Sequence, residues 1–451
     1  MAAHKVDSLI AKGAFDCECG TRHVIELERL VMHQGALSEL GTLIKEYGYT
    51  HVYLLADRTT HSIAGARIET LCEAHGITCT THAYDRDGLE PDEKAVGEAI
   101  LHFPPSCDLV LGVGSGTVND IGKVVAHVTG RHYWIAATAP SMDGYASSSS
   151  SMVRGQLKTT IHTLCPQVII ADTAILQEAP DALLTAGVGD MASKYISLLE
   201  WKVSLLVNGE YHCPVVAQLM AEALERCMSA APRILEREAH TIEAVFEGLV
   251  IAGIAATYAQ VSRPASGVEH YVSHLQDMHA IEHGYHPHLH GHQVSVGTVF
   301  AMKLWRAIAS MELPDEEQAI HEYHAIDLDT WFAQLEQWFG MGGEVMGRQA
   351  RAEQRYDPIA HRQRLANILL HWNEIVALVD TMLPNTETLV AMMEGIGLPT
   401  TFNALGVEHD LAHIICRATK EVRAKYIGTT LLTDIGCDIP FTTQEWAALL
   451  G

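Results

Sequence analysis

The first 175 residues alternate short apolar runs with amphipathic stretches, and this alternation narrows the possible folds more than any other property of the chain. Residues 51–56 (HVYLLA), 77–84, 108–111 (DLVL), 133–137 and 168–171 read as strands, and 61–75, 90–102 and 119–128 read as helices between them. Strand–helix alternation of this kind implies a parallel sheet with helices on both faces. Ligands of such sheets bind at the carboxyl ends of the strands. From about Pro180 the pattern changes to long apolar helical periods at 182–206, 214–228, 234–260, 292–311, 329–339, 357–383 and 386–396. A chain of 451 residues is too long for one compact core. The expected fold is therefore an α/β domain with a parallel sheet over residues 1–176, followed by an all-α domain over 177–451. A cleft between two domains is the default place for a site.

Composition excludes several classes. A net charge of −25 argues against nucleic-acid binding, and means that an anionic ligand needs local cationic help. Residues 1–12 carry His4, Lys5, Asp7 and Lys12 and lack the apolar core of a signal peptide. The most apolar long stretch, 245–261, contains Glu247 and several small residues and reads as a buried helix rather than a membrane span. Ten cysteines without a regular spacing point to a reducing cytoplasm. Cys17 and Cys19 form a single C-x-C with no second pair, which reads as ordinary thiols near a turn. Large helical faces suggest a homo-oligomer, a dimer or larger.

Residues 270–292, HYVSHLQDMHAIEHGYHPHLHGH, hold eight histidines in twenty-three positions. Imidazole suits a borderline divalent metal. His270 and His274 are four apart, so on a helix they share one face, roughly 6 Å apart along the axis. Gly284 and Pro287 then break the run, so that His286, His288, His290 and His292 can fold back towards that helix. In a chain of 27 histidines, most of these eight are expected to be solvated or hydrogen-bonded. A two-histidine site usually takes a carboxylate as its third ligand.

Three further stretches can carry chemistry. Gly112-Val-Gly114-Ser-Gly116-Thr117-Val118-Asn119-Asp120 has a strand before it and a helix after it, so helix N–H groups can face a diphosphate. It is not G-x-G-x-x-G, because the third glycine comes one residue early. Asp57, at the end of an earlier strand, can accept hydrogen bonds from an adenosine ribose, and Arg58 beside it keeps NADP open. Thr138-Ala139-Pro140-Ser141-Met-Asp143-Gly-Tyr145 follows a buried strand and offers hydroxyls and a carboxylate, although Asp143 could simply cap a turn. Gly187-Val-Gly-Asp190-Met-Ala-Ser-Lys194 puts a carboxylate and a lysine four residues apart in apolar surroundings. Its plain reading is an intrahelical ion pair, and its functional reading makes Asp190 the missing carboxylate.

GVGSGTVND, TAPSMDG, IIADTAIL, AGVGD with Lys194, SRPASGVEHYVSH from Ser262 and HGHQVSVG from His290 occur in the order seen in sn-glycerol-1-phosphate dehydrogenases. The chain resembles their bacterial branch, within the superfamily of iron-dependent alcohol dehydrogenase, glycerol dehydrogenase and dehydroquinate synthase, from about residue 24 to Phe441. The resemblance implies a dehydroquinate synthase-like fold, with a nucleotide-binding first domain and a helical domain that binds metal and substrate. It implies a metal on Asp190, His270 and His290, and substrate contacts from His274 and Asp143. It places NAD or NADP on residues 116–120, 138–141 and Ser147. The implied reaction is reversible hydride transfer between NAD(P)H and dihydroxyacetone phosphate, giving sn-glycerol 1-phosphate, with His274 or water supplying the proton. Zinc, nickel and iron(II) all suit such a ligand set, and the family points to zinc or nickel. Arg263 and Lys194 are the residues expected to meet the substrate phosphate.

Three rival readings stand beside this one. A glycerol or small-polyol dehydrogenase keeps the fold and loses the phosphate. A dehydroquinate synthase also uses NAD and a metal, but usually takes Glu as the metal carboxylate and grips a sugar phosphate with extra Lys and Arg. A metal-buffering protein would use the histidines and have no need of the glycine loop.

Overall fold

The computed structural model describes residues 4–155, 157–437 and Leu449, so the end of the family resemblance at Phe441 lies outside the described residues. The chain forms two compact units, Met1–Met191 with Gln218–Val261 and Ala192–Ala217 with Ser262–Gly451. A single cut at 176/177 does not reproduce them, because residues 218–261 belong with the first unit.

The first unit begins with a small hairpin, β1 (Phe15–Asp16) and β2 (Arg22–His23). The main sheet follows: β3 (Arg29–His33), β4 (His51–Asp57), β5 (Thr78–Tyr84), β6 (Leu109–Gly114) and β7 (His132–Ala137). A second hairpin, β8 (Ser149–Arg154) and β9 (Leu157–His162), precedes the last sheet strand, β10 (Val168–Asp172). The six sheet strands lie in the order β3-β10-β7-β6-β4-β5, all parallel. Central strands are buried on both faces, which is why β4, β6, β7 and β10 are almost continuously apolar. Val52, Leu54, Leu111, Val113, Trp134 and Ile170 fill one face against Leu40, Ile44 and Ile68.

Strand order reverses direction at β4, with β5 on one side and β6 on the other, and ligands of open sheets bind at such a point. Asp57 and Gly114 end the two strands that meet there.

Three helices support the carboxyl edge of the sheet: α1 (Gly116–Thr129), α2 (Asp181–Ala192) and, after α3 (Lys194–Asn208) and α4 (Pro214–Ala230), α5 (Ala239–Ala259). The stretch 182–206 is not one helix as expected, but breaks at Ser193. The stretch 234–260 also divides, at Arg237, whose φ is 58° and whose guanidinium bonds the Ala179 carbonyl and Asp181. Two helical segments, Ala239–Ala259 and Pro358–Gly395, are long and apolar enough to cross a membrane. The first is 78% buried inside the protein, with Glu247 bonded to the Val6 N–H and to Arg226.

The second unit is helical among its described residues. The helices that matter here are α3, α6 (Val268–His283), α7 (His290–Ala309), α8 (Pro358–Met382) and α9 (Gly428–Asp434). Glu200 on α3 ties four of them together. Its carboxylate accepts from the Val268 N–H (2.9 Å), the Trp305 indole (3.1 Å) and the Gly428 N–H (2.8 Å).

Candidate active site

Asp190 lies in the last turn of α2 and is fully buried. A Cβ at Gly187 would overlap the Pro140 carbonyl oxygen, so glycine there lets α2 press against the loop after β7. That approach brings the Asp143 N–H within 2.9 Å of Asp190 Oδ2.

His270 is in the first turn of α6, and His290 is the first residue of α7. Helix α6 stops at Gly284, whose φ of 72° favours glycine, and the chain returns to set the two imidazoles 5.2 Å apart. Donor atoms of Asp190, His270 and His290 all lie within 4.8 Å of one another.

Neighbouring groups fix which ring nitrogen faces a metal. His270 Nδ1 is 2.9 Å from Glu269 Oε1, and an ionised carboxylate can only accept, so Nδ1 carries the proton and Nε2 keeps its lone pair. The same carboxylate oxygen accepts the Gly267 N–H at 2.6 Å. Ser273 gives its one proton to Gln293 Oε1 (2.7 Å), so it accepts from His290 Nδ1 (3.0 Å) and leaves that Nε2 as donor too. One carboxylate and two oriented imidazole nitrogens suit a divalent cation with open positions for substrate.

Glu269 is fully buried, and Glu200 is pushed up to about 8 by burial and by the charge of Glu269. Of the two carboxylates, Glu269 is the one in contact with the His270 ring, while Glu200 is tied to the Val268 and Gly428 N–H groups and the Trp305 indole. Glu269→Gln is expected to weaken metal affinity about 10- to 100-fold, and Glu200→Gln only a few-fold. Competition against a chelating dye measures both, and equal losses would remove Glu269 from this role.

The other histidines of the cluster stand apart. His279 stacks on His283 at 4.0 Å, and His283, His286 and His288 are exposed. Among the described residues, the only set of three or more candidate donors that includes a histidine of this run is Asp190, His270 and His290. His274, one turn beyond His270 on α6, is half-buried with its ring 6.2 Å from that of Tyr271.

The glycine loop lies at the sheet's carboxyl edge as expected. Gly112 is within β6, where its missing side chain makes room for the Tyr133 hydroxyl, and Gly114 is met by Val118. Helix α1 begins at Gly116 with no hydrogen bond from the Ser115 side chain, so the first-turn N–H groups of Gly116, Thr117 and Val118 are not capped by it. Asn119 is buried and donates to the Gly144 carbonyl at 3.2 Å. Asp120 follows in the same turn, pushed up to about 6 by burial.

Residues 138–141 pack beside this loop, with the Thr138 N–H on the Gly114 carbonyl (3.0 Å) and the Tyr145 hydroxyl on the Ala139 carbonyl (2.6 Å). Pro140 and Ser141 complete it, and Ser141 is 8% exposed. Ser147 bonds its own loop, through the carbonyls of Gly144 and Ser149. Asp57 caps the helical turn after β4 by accepting the Thr60 N–H (2.8 Å), so one of its oxygens is occupied. Arg58 is held by Asp85 (3.1 Å) and Asp87 (2.6 Å).

Arg263 is a correction. It is 1% exposed, and its guanidinium clasps Glu210 with both Nε (2.8 Å) and Nη2 (2.5 Å), donating also to the Tyr426 carbonyl (2.8 Å) and Ser204 (3.2 Å). A fork this fully bonded is a structural ion pair and does not present itself to a phosphate. Lys194 is fully buried at the start of α3 and donates to Ser193 Oγ at 3.2 Å. The helix break at Ser193 replaces the regular i, i+4 face expected for Asp190 and Lys194.

Several residues at the site escape sequence reasoning. Lys123 is fully buried, and its ammonium donates to the Gly144, Ser147 and Ser149 carbonyls at 2.6, 2.7 and 3.2 Å, so one side chain holds the whole 144–149 segment. A lysine seven residues into the helix after a glycine loop is the signal that could have found it. Lys425 donates to the Ser266 carbonyl (2.8 Å) and hydroxyl (2.7 Å), just before α6. Burial, with Arg263 and Arg423 nearby, brings it down to about 7.

Known proteins resemble this chain in sequence and in fold. The family described as iron-containing alcohol dehydrogenase matches residues 31–180. A protein of Bacillus licheniformis named glycerol-1-phosphate dehydrogenase [NAD(P)+] is 27% identical over 433 residues, 95% of this chain and 94% of that protein. Proteins of the same name from Halalkalibacterium halodurans and Methanosarcina barkeri are each 33% identical, over 65% and 61% of this chain and 74% and 75% of their own length. Two solved structures have the same fold, each at 16% identity. A probable glycerol dehydrogenase from Sinorhizobium meliloti has a TM-score of 0.58, covering 94% of this chain and 95% of that one. The glycerol dehydrogenase from Schizosaccharomyces pombe has a TM-score of 0.60, covering 94% and 92%. At 33% identity over aligned stretches that span about three quarters of such proteins, the chain belongs to the glycerol-1-phosphate dehydrogenase family.

Proposed function

We propose that this chain interconverts dihydroxyacetone phosphate and sn-glycerol 1-phosphate with NAD(P)H as hydride donor. The observation that carries the reading is the convergence of Asp190, His270 and His290, with Glu269 and Ser273 fixing the two imidazoles. Zinc or nickel held there would supply Lewis-acid polarisation of the ketone. His274, one turn beyond His270, gives the proton that the product hydroxyl needs, and Asp143 holds the substrate hydroxyls. The capless N-terminus of α1 and the 138–141 loop bind the dinucleotide diphosphate. Asp57, with Asp85 and Asp87 occupying Arg58, favours a ribose with a free 2′-hydroxyl and hence NAD over NADP.

Following NADH consumption by metal-stripped protein tests the reaction, with zinc, nickel or iron(II) restored singly. Turnover requiring both one metal and the phosphorylated ketone is the expected result. Turnover of unphosphorylated polyols alone would make the chain a glycerol-type dehydrogenase.

With Arg263 tied to Glu210, Lys194 stays the expected cation for the substrate phosphate, and we propose Lys425, with Arg423 nearby, as a second. Below about 7 Lys425 is charged and attracts a phosphate dianion; above that value the attraction is lost. The KM for dihydroxyacetone phosphate should therefore climb as pH rises through 7, while that for dihydroxyacetone stays level. Lys425→Ala should raise the first KM about 10- to 100-fold, the value of one charge-assisted hydrogen bond. A parallel rise for both ketones would refute the assignment.

A further inference from the structure

We infer a second metal site, a structural zinc held by Cys17, Cys19, His23 and Cys213. The four candidate donor atoms lie within 4.8 Å of one another. Three thiols and one imidazole are a tetrahedral zinc set, which leaves no position open for substrate. The sequence shows only C-x-C, because His23 follows four residues after Cys19 and Cys213 lies far along the chain, next to the first residue of α4.

Geometry supports the set at each member. His23 is fully buried, and its Nδ1 lies 2.8 Å from the Tyr258 carbonyl. A carbonyl can only accept, so Nδ1 carries the proton and the Nε2 lone pair faces the sulfurs. Nε2 is 3.5 Å from Cys19 Sγ. Bonds of roughly 2.05 Å to nitrogen and 2.3 Å to sulfur, set at the tetrahedral angle, separate the two atoms by about 3.5 Å. Cys213 is also fully buried, while Cys17 and Cys19 are partly exposed, as the entry side of such a site would be.

The local backbone needs such a fastening. Strands β1 and β2 share two residue pairs, Phe15 with His23 and Asp16 with Arg22. The turn between them closes with the Cys17 N–H on the Thr21 carbonyl (3.2 Å) and the Gly20 N–H on the Cys17 carbonyl (2.9 Å), with Gly20 at a φ of 85°. A ladder this short is marginal in water. Ring contacts of Phe15 with His23 (5.1 Å) and Tyr258 (5.7 Å) cover one side of it. A bound zinc would bind the tip of the hairpin to the head of α4, and that binding free energy becomes folding free energy.

The test uses full-length protein from cells grown with cobalt in place of zinc. Thiolates on tetrahedral cobalt(II) give intense sulfur-to-metal charge transfer in the near ultraviolet and strong ligand-field bands in the red. The Asp190, His270 and His290 set contains no sulfur and cannot produce the charge-transfer band. The wild type is expected to show these bands and to hold one more metal per chain than Cys19→Ser. Cys79→Ser, a thiol 3.9 Å from Thr81, should leave the spectrum unchanged. Asp190→Ala should keep the thiolate bands, so the result stands or falls separately from the dehydrogenase reading. Absence of the charge-transfer band in the wild type overturns the site, and this needs no variant to fold. Equal metal content in the wild type and Cys19→Ser overturns it as well.

Discussion

Replacing His290 with alanine should strip the protein of its catalytic metal and lower kcat/KM at least about 1000-fold, equivalent to about 4 kcal/mol of transition-state stabilisation. The loss is large because the remaining pair, Asp190 and His270, offers a cation two donors where three had converged. Ser273 would also lose the ring that donates to its hydroxyl. His288→Ala is the contrasting variant. It lies two residues away in the same histidine-rich run, but is exposed and stands outside the donor set. Metal content and kcat/KM measured on both variants decide the matter. Retention of metal by His290→Ala with loss from His288→Ala would move the ligand set into the loop and away from the start of α7.

Arg263→Ala should destabilise the fold by about 2–3 kcal/mol, because a buried guanidinium with four hydrogen bonds is lost, while its partner Glu210, 31% exposed, can be partly hydrated. The Glu210 carboxylate would keep its place with no guanidinium, and the Tyr426 carbonyl and Ser204 hydroxyl would each lose a donor. Urea unfolding of the isolated variant gives the number. A double replacement, Arg263→Met with Glu210→Gln, should recover part of the loss, because no charge then remains buried alone. If Arg263→Ala instead leaves stability intact and raises only the KM for the phosphorylated ketone, the arginine is a substrate ligand after all.

The contrast between these two residues shows what could be read from the chain. The central strands were legible because burial on both faces makes them apolar without interruption, as in HVYLLA and DLVL. Strand β3 was not, since it lies at the sheet edge and begins with an arginine next to two nearby glutamates. The β8–β9 hairpin hid behind a run of serines whose pattern carries no apolar face. Asp190, His270 and His290 were named from the family resemblance carried by AGVGD, VEHYVSH and HGHQVSVG, and the fold brings their donor atoms together. Arg263 was misjudged because its charge was weighed against the protein's net charge, while its partner Glu210 sits 53 residues earlier. Glu269 was not singled out in the sequence, and only the fold shows it buried against an imidazole. Cys213 is the same case, a lone cysteine until the chain brings the hairpin to it.

The position of β3 has a consequence for how the protein is made. That strand pairs with β10 alone, from Arg29 against Val168 to His33 against Asp172. On a ribosome the amino-terminal strand emerges first, yet its partner follows about 140 residues later. At roughly 5–20 residues per second, Leu30, Val31 and Met32 wait about 7–30 s without a neighbour to cover them. Nascent chains of this protein should therefore be chaperone clients until β10 clears the exit tunnel, and the last seam of the sheet to close is the one nearest its beginning.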